Sequence, residues 1–532
     1  MASSADVLSL QFPVGGLWKR AGYRAHPPFY SPDCLNVRPD DPLESRDRGG
    51  SRGGSAKFSA TQLGGAGTRE IRLIYELRYD SGNGYLKILL AAADNGVLYM
   101  YSPGGGTWSA IATANVTLAS GRQLQAADIL GYLYISSDTN GNIAVYDPAT
   151  DTLDTIGNTH TVVGTAPTNC HGLARYRQRL LLAVDQANPH RWYISRQGVP
   201  YDFEYGQVDA QTAVAGHLSD SGTIEEPVIA MIPHGDDCCL FGCSSSIWTM
   251  RSDPAYGGSI DNISREVGLS DRLSWCHDAD KQLWFLSHDG VYWMPPGCGD
   301  FPISVSREVM PEELLTADRS TSRISMAYDV YHRGVRLSIT NDAASAGTHF
   351  WIDTKVREQR DRGGPWGAFF PFTYPLDAEP MYFYNRPDSP QASSVCLMGS
   401  RDGFIRVESS TLKTDATEAG TQSFDSYVML GPFALGKLSL QGLITTLETV
   451  LSESSDSVSI EIRVGSSAER AISNAPVEIL HCDNIGWNRH RPRHRGTYAT
   501  LKVKNRNGSS LWAVEELILH RLPSAAPRRF EQ

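Results

Sequence analysis

Residues 282–294, QLWFLSHDGVYWM, set two apolar runs on either side of Asp289-Gly290. Glycine after aspartate supplies the positive φ that a tight turn needs, while the aromatic and aliphatic flanks favour extended chain. The stretch predicts an antiparallel hairpin. Six further pairs follow the same plan, with first runs at residues 86–91 (LKILLA), 130–136 (LGYLYIS), 179–184 (RLLLAV), 238–243 (CCLFGC), 335–340 (VRLSIT) and 394–400 (SVCLMGS). Their partners are residues 97–101, 143–146, 191–195, 247–250, 349–353 and 404–407. Asn95-Gly96, Asn140-Gly141 and Asp402-Gly403 mark three of those turns as Asp289-Gly290 marks the first.

Successive units begin 44 to 59 residues apart, close to the roughly 40–50 residues of a four-stranded propeller blade. A lone hairpin is marginal in water, so radial stacking is the natural way to bury both of its faces. The repeat predicts an all-β chain: a degenerate six- or seven-bladed β-propeller over residues 70–412, with loop insertions between blades. Alternating runs at residues 458–464, 477–481, 498–503 and 511–520 predict a C-terminal β-sandwich over residues 413–532. Residues 1–69 remain as an extended N-terminal arm. Its Gly-, Ser- and Arg-rich part, residues 46–67, reads as too polar to pack, and Arg46, Arg48 and Arg52 are its candidate assembly contacts, ordering only against a neighbouring copy.

A chain of 532 residues exceeds one ordinary core. Its 48 Lys and Arg against 59 Asp and Glu give a net charge of -11, which repels phosphate at long range and argues against a dedicated nucleic-acid gripper. It leaves room for a protein that surrounds DNA with weak contacts and lets it slide. Asp6 and the lack of a basic opening do not read as a secretory signal, and no apolar run reaches the roughly 18 residues that span a bilayer. Nine scattered cysteines suit synthesis in a reducing cytosol better than a disulfide framework.

The sequence carries few marks of catalysis. Residues 431–437, GPFALGK, resemble half of a phosphate-binding loop, but Leu438 stands where a Ser or Thr should ligate magnesium, so a structural turn is expected. Cys238, Cys239 and Cys243 lack the paired spacing of a closed zinc site and read as strand residues. Asp138 to Asn142 opens like a calcium loop, yet its glycine falls at the fourth position and Ala149 occupies the twelfth. No cofactor or metal is expected. The densest basic cluster is Arg489, Arg491, Arg493 and Arg495. Guanidinium groups there could pair with a neighbouring subunit's carboxylates or with phosphate, or could simply cover an exposed strand with their stems.

The run Phe12 to Leu17 (FPVGGL), followed by Arg20, Pro27, Pro28, Ser31 and Leu35-Asn36-Val37-Arg38-Pro39, and then by Arg48-Gly49-Gly50 and Arg52-Gly53-Gly54, resembles the opening of tailed-bacteriophage neck and tail proteins. Residues 487–496 (WNRHRPRHRG) with Trp512-Ala-Val-Glu515 are similar to the sandwich that ends related virion proteins. The resemblance is to the tail-nozzle or packaged-DNA stabilisation family of β-propeller proteins. It implies a non-enzymatic virion structural protein, made in the host cytoplasm, that forms a homo-oligomeric ring, commonly hexameric, at the neck, collar or tail nozzle. Adaptor, portal or tail components would be its partners, with double-stranded DNA passing without sequence recognition. Two other readings stay open: a propeller glycosidase acting on host polysaccharide, and a soluble propeller interaction module.

Overall fold

The computed structural model describes the whole chain except residues 1–5, 21, 66–68, 83, 298, 308, 311–313, 315–320, 343–344, 355–366, 389–392, 437–439, 484 and 528–532. Among the described residues six four-stranded antiparallel sheets and one five-stranded sheet, the second, follow one another along it; the extra strand, Ala112–Thr113, lies parallel on Thr152–Thr155. They span residues 71–110, 126–155, 170–215, 228–264, 275–304, 322–372 and 380–409, the last completed from elsewhere in the chain. These are blades 1 to 7. The first strands of blades 1 and 2, 2 and 3, 3 and 4, 5 and 6, 6 and 7, and 7 and 1 pack side by side, and Ile232 and Leu240 of blade 4 share a core with Leu283 and Phe285 of blade 5, so the circle is closed.

Every hairpin read from the sequence forms the two middle strands of a blade. In blade 5, Leu283–Ser287 pairs with Gly290–Met294, and all ten residues are buried. Both faces of a blade meet a neighbouring blade, which is why these strands are continuously apolar instead of alternating. Turn glycines adopt the expected backbone, with φ +77° at Gly96 and +85° at Gly403. A Cβ on Gly403 would also stand 2.3 Å from the Leu63 carbonyl, so glycine here both makes the turn and admits the N-terminal segment.

Blade 7 closes the propeller with a strand from the far end of the sequence. Gly54–Lys57 lies antiparallel on Ile405–Ser409, pairing Arg406 with Lys57 and Ser409 with Gly54. A sheet edge that would otherwise be bare is thereby capped.

Two five-stranded sheets make the sandwich. One runs Asp6–Leu10, Val514–Pro527, Leu440–Leu451 and Gly486–His490, with Arg495–Gly496 also on Leu440–Leu451; the other runs Cys34–Leu35, Tyr427–Ala434, Tyr498–Asn505, Val458–Gly465 and Glu478–Cys482. Ile444, Leu447, Ile460, Ile462, Leu501 and Leu519 fill the space between them. That core continues through Leu17 and Val37 into Trp284, Leu286 and Trp351 of blades 5 and 6.

The N-terminal segment is extended, but its polarity does not keep it from packing, because its polar groups find partners within the chain. It supplies one strand to each sandwich sheet and one to blade 7. Arg52, expected as an assembly contact, is buried: it donates 3.0 and 2.5 Å bonds to the two Asp415 oxygens and lies over the Phe424 ring at 3.9 Å. Residues 66–67 of the Gly-rich part lie outside the described residues.

Candidate functional site

The residues that carried the resemblance meet in space. Asn36 turns the chain at φ +52° and accepts a 3.0 Å bond from Arg52 Nε. Arg38 pairs with Glu408 at 2.6 Å, and Glu408 also receives Arg336 at 2.7 Å, all three side chains being nearly sealed from solvent. Two guanidinium groups beside it hold Glu408 at about 2, against the opposing effect of burial. Arg48 reaches Asp41 at 3.0 Å and Glu515 at 2.5 Å, while the Trp512 amide donates to Ser51 Oγ. These motifs build the joint between propeller and sandwich. Arg48 and Arg52 are spent inside it; Arg46 alone of the three is exposed, paired with Glu44 at 2.8 Å.

The second cluster lies where the sandwich ends. Gly486–His490 is the last strand of its sheet, and Trp487 and Arg489 face outward from it while Asn488 faces inward. Beyond it Arg491 and Arg493 are exposed around buried Pro492, with Arg493 at φ +55°, and Arg495 is exposed on the following short strand. The structure thus brings all four arginines onto one edge. Arg489 Nε lies 3.2 Å from Glu448, whereas Arg491, Arg493 and Arg495 form no ion pair among the described residues. The edge strand of the other sheet, Glu478–Cys482, adjoins it through His494–Glu478 at 2.7 Å and His490–Cys482 at 3.6 Å. Ile479, Ile485 and Trp487 are exposed here, the last by 62%.

Chemically, the edge offers three unpaired planar forks that match carboxylate or phosphate oxygens, an aromatic anchor of the kind that dominates interfaces, and unpaired strand groups. The sequence marked the arginines as candidate contacts, but not Trp487, quoted only as part of the run WNRHRPRHRG, nor Ile485. Only the sheet order shows that this strand has a free side.

Other sequence candidates resolve into structure. Asp138 Oδ1 accepts the amides of Asn140 and Asn142, both at 2.8 Å, in an Asx-type turn. Cys238, Cys239 and Cys243 are buried in blade 4, where burial pushes the Cys243 thiol up to about 12. Residues 431–434 end the strand Tyr427–Ala434, and Lys437 lies outside the described residues. Among the described residues no three His, Cys, Asp or Glu side chains gather as a metal site. A cleft of about 650 Å³ between the turns of blades 3 and 4 is lined by Arg175, Arg177, Asp236 and Asp237, but Arg177 already pairs with Asp237 at 3.0 Å.

The propeller axis is crossed by side chains. Arg272, ahead of the first strand of blade 5, donates to the Gln123 and His171 carbonyls of blades 2 and 3 at 3.3 and 3.2 Å. Gln125 Nε2 returns a 3.2 Å bond to the Arg272 carbonyl.

No protein-family model matches the chain, and no curated protein matches it. Among solved structures it is similar to the extracellular domain of a putative one component system from B. thetaiotaomicron, at 13% identity over 88% of this chain and 59% of that one, with a TM-score of 0.42. A putative hybrid two component system from the same organism gives 12%, 76%, 44% and 0.38. PorZ, a surface component of the type-IX secretion system of Porphyromonas gingivalis, gives 13%, 80%, 46% and 0.29. The chain spans about half the length of these structures, and at such TM-scores the likenesses carry no argument about function.

Proposed function

We propose that this chain is a structural protein of a tailed-phage virion, a ring-forming component of the neck, collar or tail nozzle through which DNA passes. One observation carries the reading: an unpaired edge bearing Arg491, Arg493, Arg495 and exposed Trp487, on a chain whose net charge is -11. Such an edge is complementary to the acidic remainder of an identical copy, and a heterologous contact of that kind closes into a ring when its rotation permits. The joint residues add support, since they are those by which the chain resembles the nozzle and DNA-stabilisation family. They fix a propeller disc to a sandwich bracket, as a load-carrying ring subunit requires.

In this reading DNA does not thread the propeller, whose axis Arg272 crosses. Its path is the lumen enclosed by several copies, commonly six in the resembled family, and the acidic surface keeps phosphate contacts few so that the duplex slides. Adaptor, portal or tail proteins would seat the ring. Negative-stain imaging and light scattering of the purified protein test the proposal, together with labelling of virions: closed rings, or label between capsid and tail tip, are expected. A monomer at micromolar concentration with no virion label overturns it in favour of an interaction module, and sugar release from host glycans in favour of a hydrolase.

A further inference from the structure

At the mouth of the propeller axis, on the face where the first strand of each blade begins, guanidinium groups arrive from four blades. Arg72 lies in the first strand of blade 1, Arg122 just ahead of that of blade 2, Arg272 just ahead of that of blade 5 and Arg323 in that of blade 6. They are linked through short bonds. Arg72 Nε and the Gly121 amide both donate to Asp94 Oδ1, at 3.1 and 2.7 Å, and Arg323 donates to the Gly121 carbonyl at 2.5 Å. Burial and the charges of Arg122 and Arg323 act on Arg272 against that of Asp271, and burial with the charges of Arg122 and Arg272 brings His171 down to about 4. His171 is therefore a neutral ring at physiological pH.

Compensation is incomplete. Arg72 meets Glu70 at 2.5 Å as well as Asp94, and Arg323 meets Asp342 at 3.2 Å. Arg272 donates to main-chain carbonyls and is offset by the buried Asp271 carboxylate, whereas half-buried Arg122 has no hydrogen-bond or ion-pair partner among the described residues. Polar atoms are also left over in the same place: Arg72 Nη1, Arg323 Nε, Gln123 Oε1 and His171 Nε2 are buried without partners. Three of their residues are more than nine-tenths buried, Arg72 and Gln123 at 3% and His171 at 8% exposure. Buried polar groups without partners are destabilising, and four at one mouth point to something that binds them.

We propose that the axial mouth binds a small oxyanion of the phosphate class. Guanidinium N–H groups of Arg72 and Arg323 supply donors to its oxygens, and Arg122 supplies a charge that no carboxylate among the described residues pairs. Gln123 selects within the class. Its Nε2 is committed to the Met381 carbonyl at 2.8 Å, which fixes the amide orientation and leaves Oε1 as an acceptor. Hydrogenphosphate or a phosphomonoester monoanion brings a P–OH that can donate to it; sulfate brings none. A bound ion would tie blades 1, 2, 5 and 6 across the axis and stiffen the disc.

Calorimetric titration of the full chain with inorganic phosphate, sulfate and chloride at neutral pH and matched ionic strength tests the site. Saturable one-to-one phosphate binding is expected, at least ten-fold tighter than sulfate. It should weaken at least ten-fold in Arg122→Ala, a variant that removes no existing bond and should melt like the parent without phosphate, and stay unchanged in Arg491→Ala. Competition by glycerol phosphate would identify the terminal group of a larger ligand as the occupant, and its failure to compete the free ion. Absence of saturable heat, equal affinity for sulfate, or an unaffected Arg122→Ala overturns the assignment.

Discussion

The guanidinium of Arg52 and the carboxylate of Asp415, 363 positions apart, form a two-bond pair in which both side chains are only 1% exposed. Arg52 also donates to the Thr373 carbonyl and stacks over Phe424, while Asp415 accepts from Ser55. The pair therefore connects the N-terminal segment, blade 6 and the start of the sandwich at one point.

Removing one partner strands a buried charge, which costs about 3–5 kcal/mol. Arg52→Met should lower denaturant resistance by that amount, and Arg52→Lys should restore little of it, since an ammonium cannot span both oxygens or stack on the ring. Asp415→Leu combined with Arg52→Met should recover part of the loss. Urea unfolding followed by tryptophan fluorescence measures all three.

Truncation is expected to act on the fold and not only on assembly. Deleting residues 1–57 removes the closing strand of blade 7 and one strand from each sandwich sheet. The uncovered strand Ile405–Ser409 would then present a free edge. Such a chain should aggregate on expression, whereas a disposable arm would leave a soluble propeller; the soluble fraction and near-ultraviolet circular dichroism separate the two.

Stability should fall in two stages on acidification. His277, stacked on His234 and depressed to about 4 by burial, resists protonation in the fold but not in the unfolded chain. Its contribution is present above pH 6.5 and declines as pH falls from there to about 4. Glu408, held near 2 by its arginines, adds stability above its ordinary range near 4.5 that is lost as pH falls toward 2. Melting temperatures across pH 7 to 2 should show both declines, and His277→Phe should lessen the first, to which His171 also contributes.

Charge reversal at the sandwich edge should separate assembly from folding. Arg491→Glu, Arg493→Glu and Arg495→Glu together touch no ion pair among the described residues, so the melting temperature should hold while the proposed ring assembly is lost in light scattering. Arg489→Ala gives up an exposed pair with Glu448 and should cost no more than about 1 kcal/mol. Trp487→Ala should weaken assembly without charge, and so with little dependence on salt.

Sequence alone settled what is local. The turn glycines Gly96, Gly141, Gly290 and Gly403 take the positive φ that their dipeptides announced, and runs such as CCLFGC are apolar throughout because neighbouring blades bury both faces. Those hairpins count seven, and the structure has seven blades. The outer strands were silent, since a half-exposed strand such as Gly54–Lys57 has the composition of a loop; its partner lies some 350 residues away, and pairing over that distance leaves no local signature. Arg48 and Arg52 looked like free arm residues because a buried arginine is told from an exposed one only by Asp41, Glu515 and Asp415 around it. The same holds for Arg72, Arg122, Arg272 and Arg323, spread over 252 positions and gathered by the circular closure of the blades. Period and turn chemistry act between near neighbours and can be read from the chain, whereas convergence on an axis or an edge is decided by which strands close the sheets.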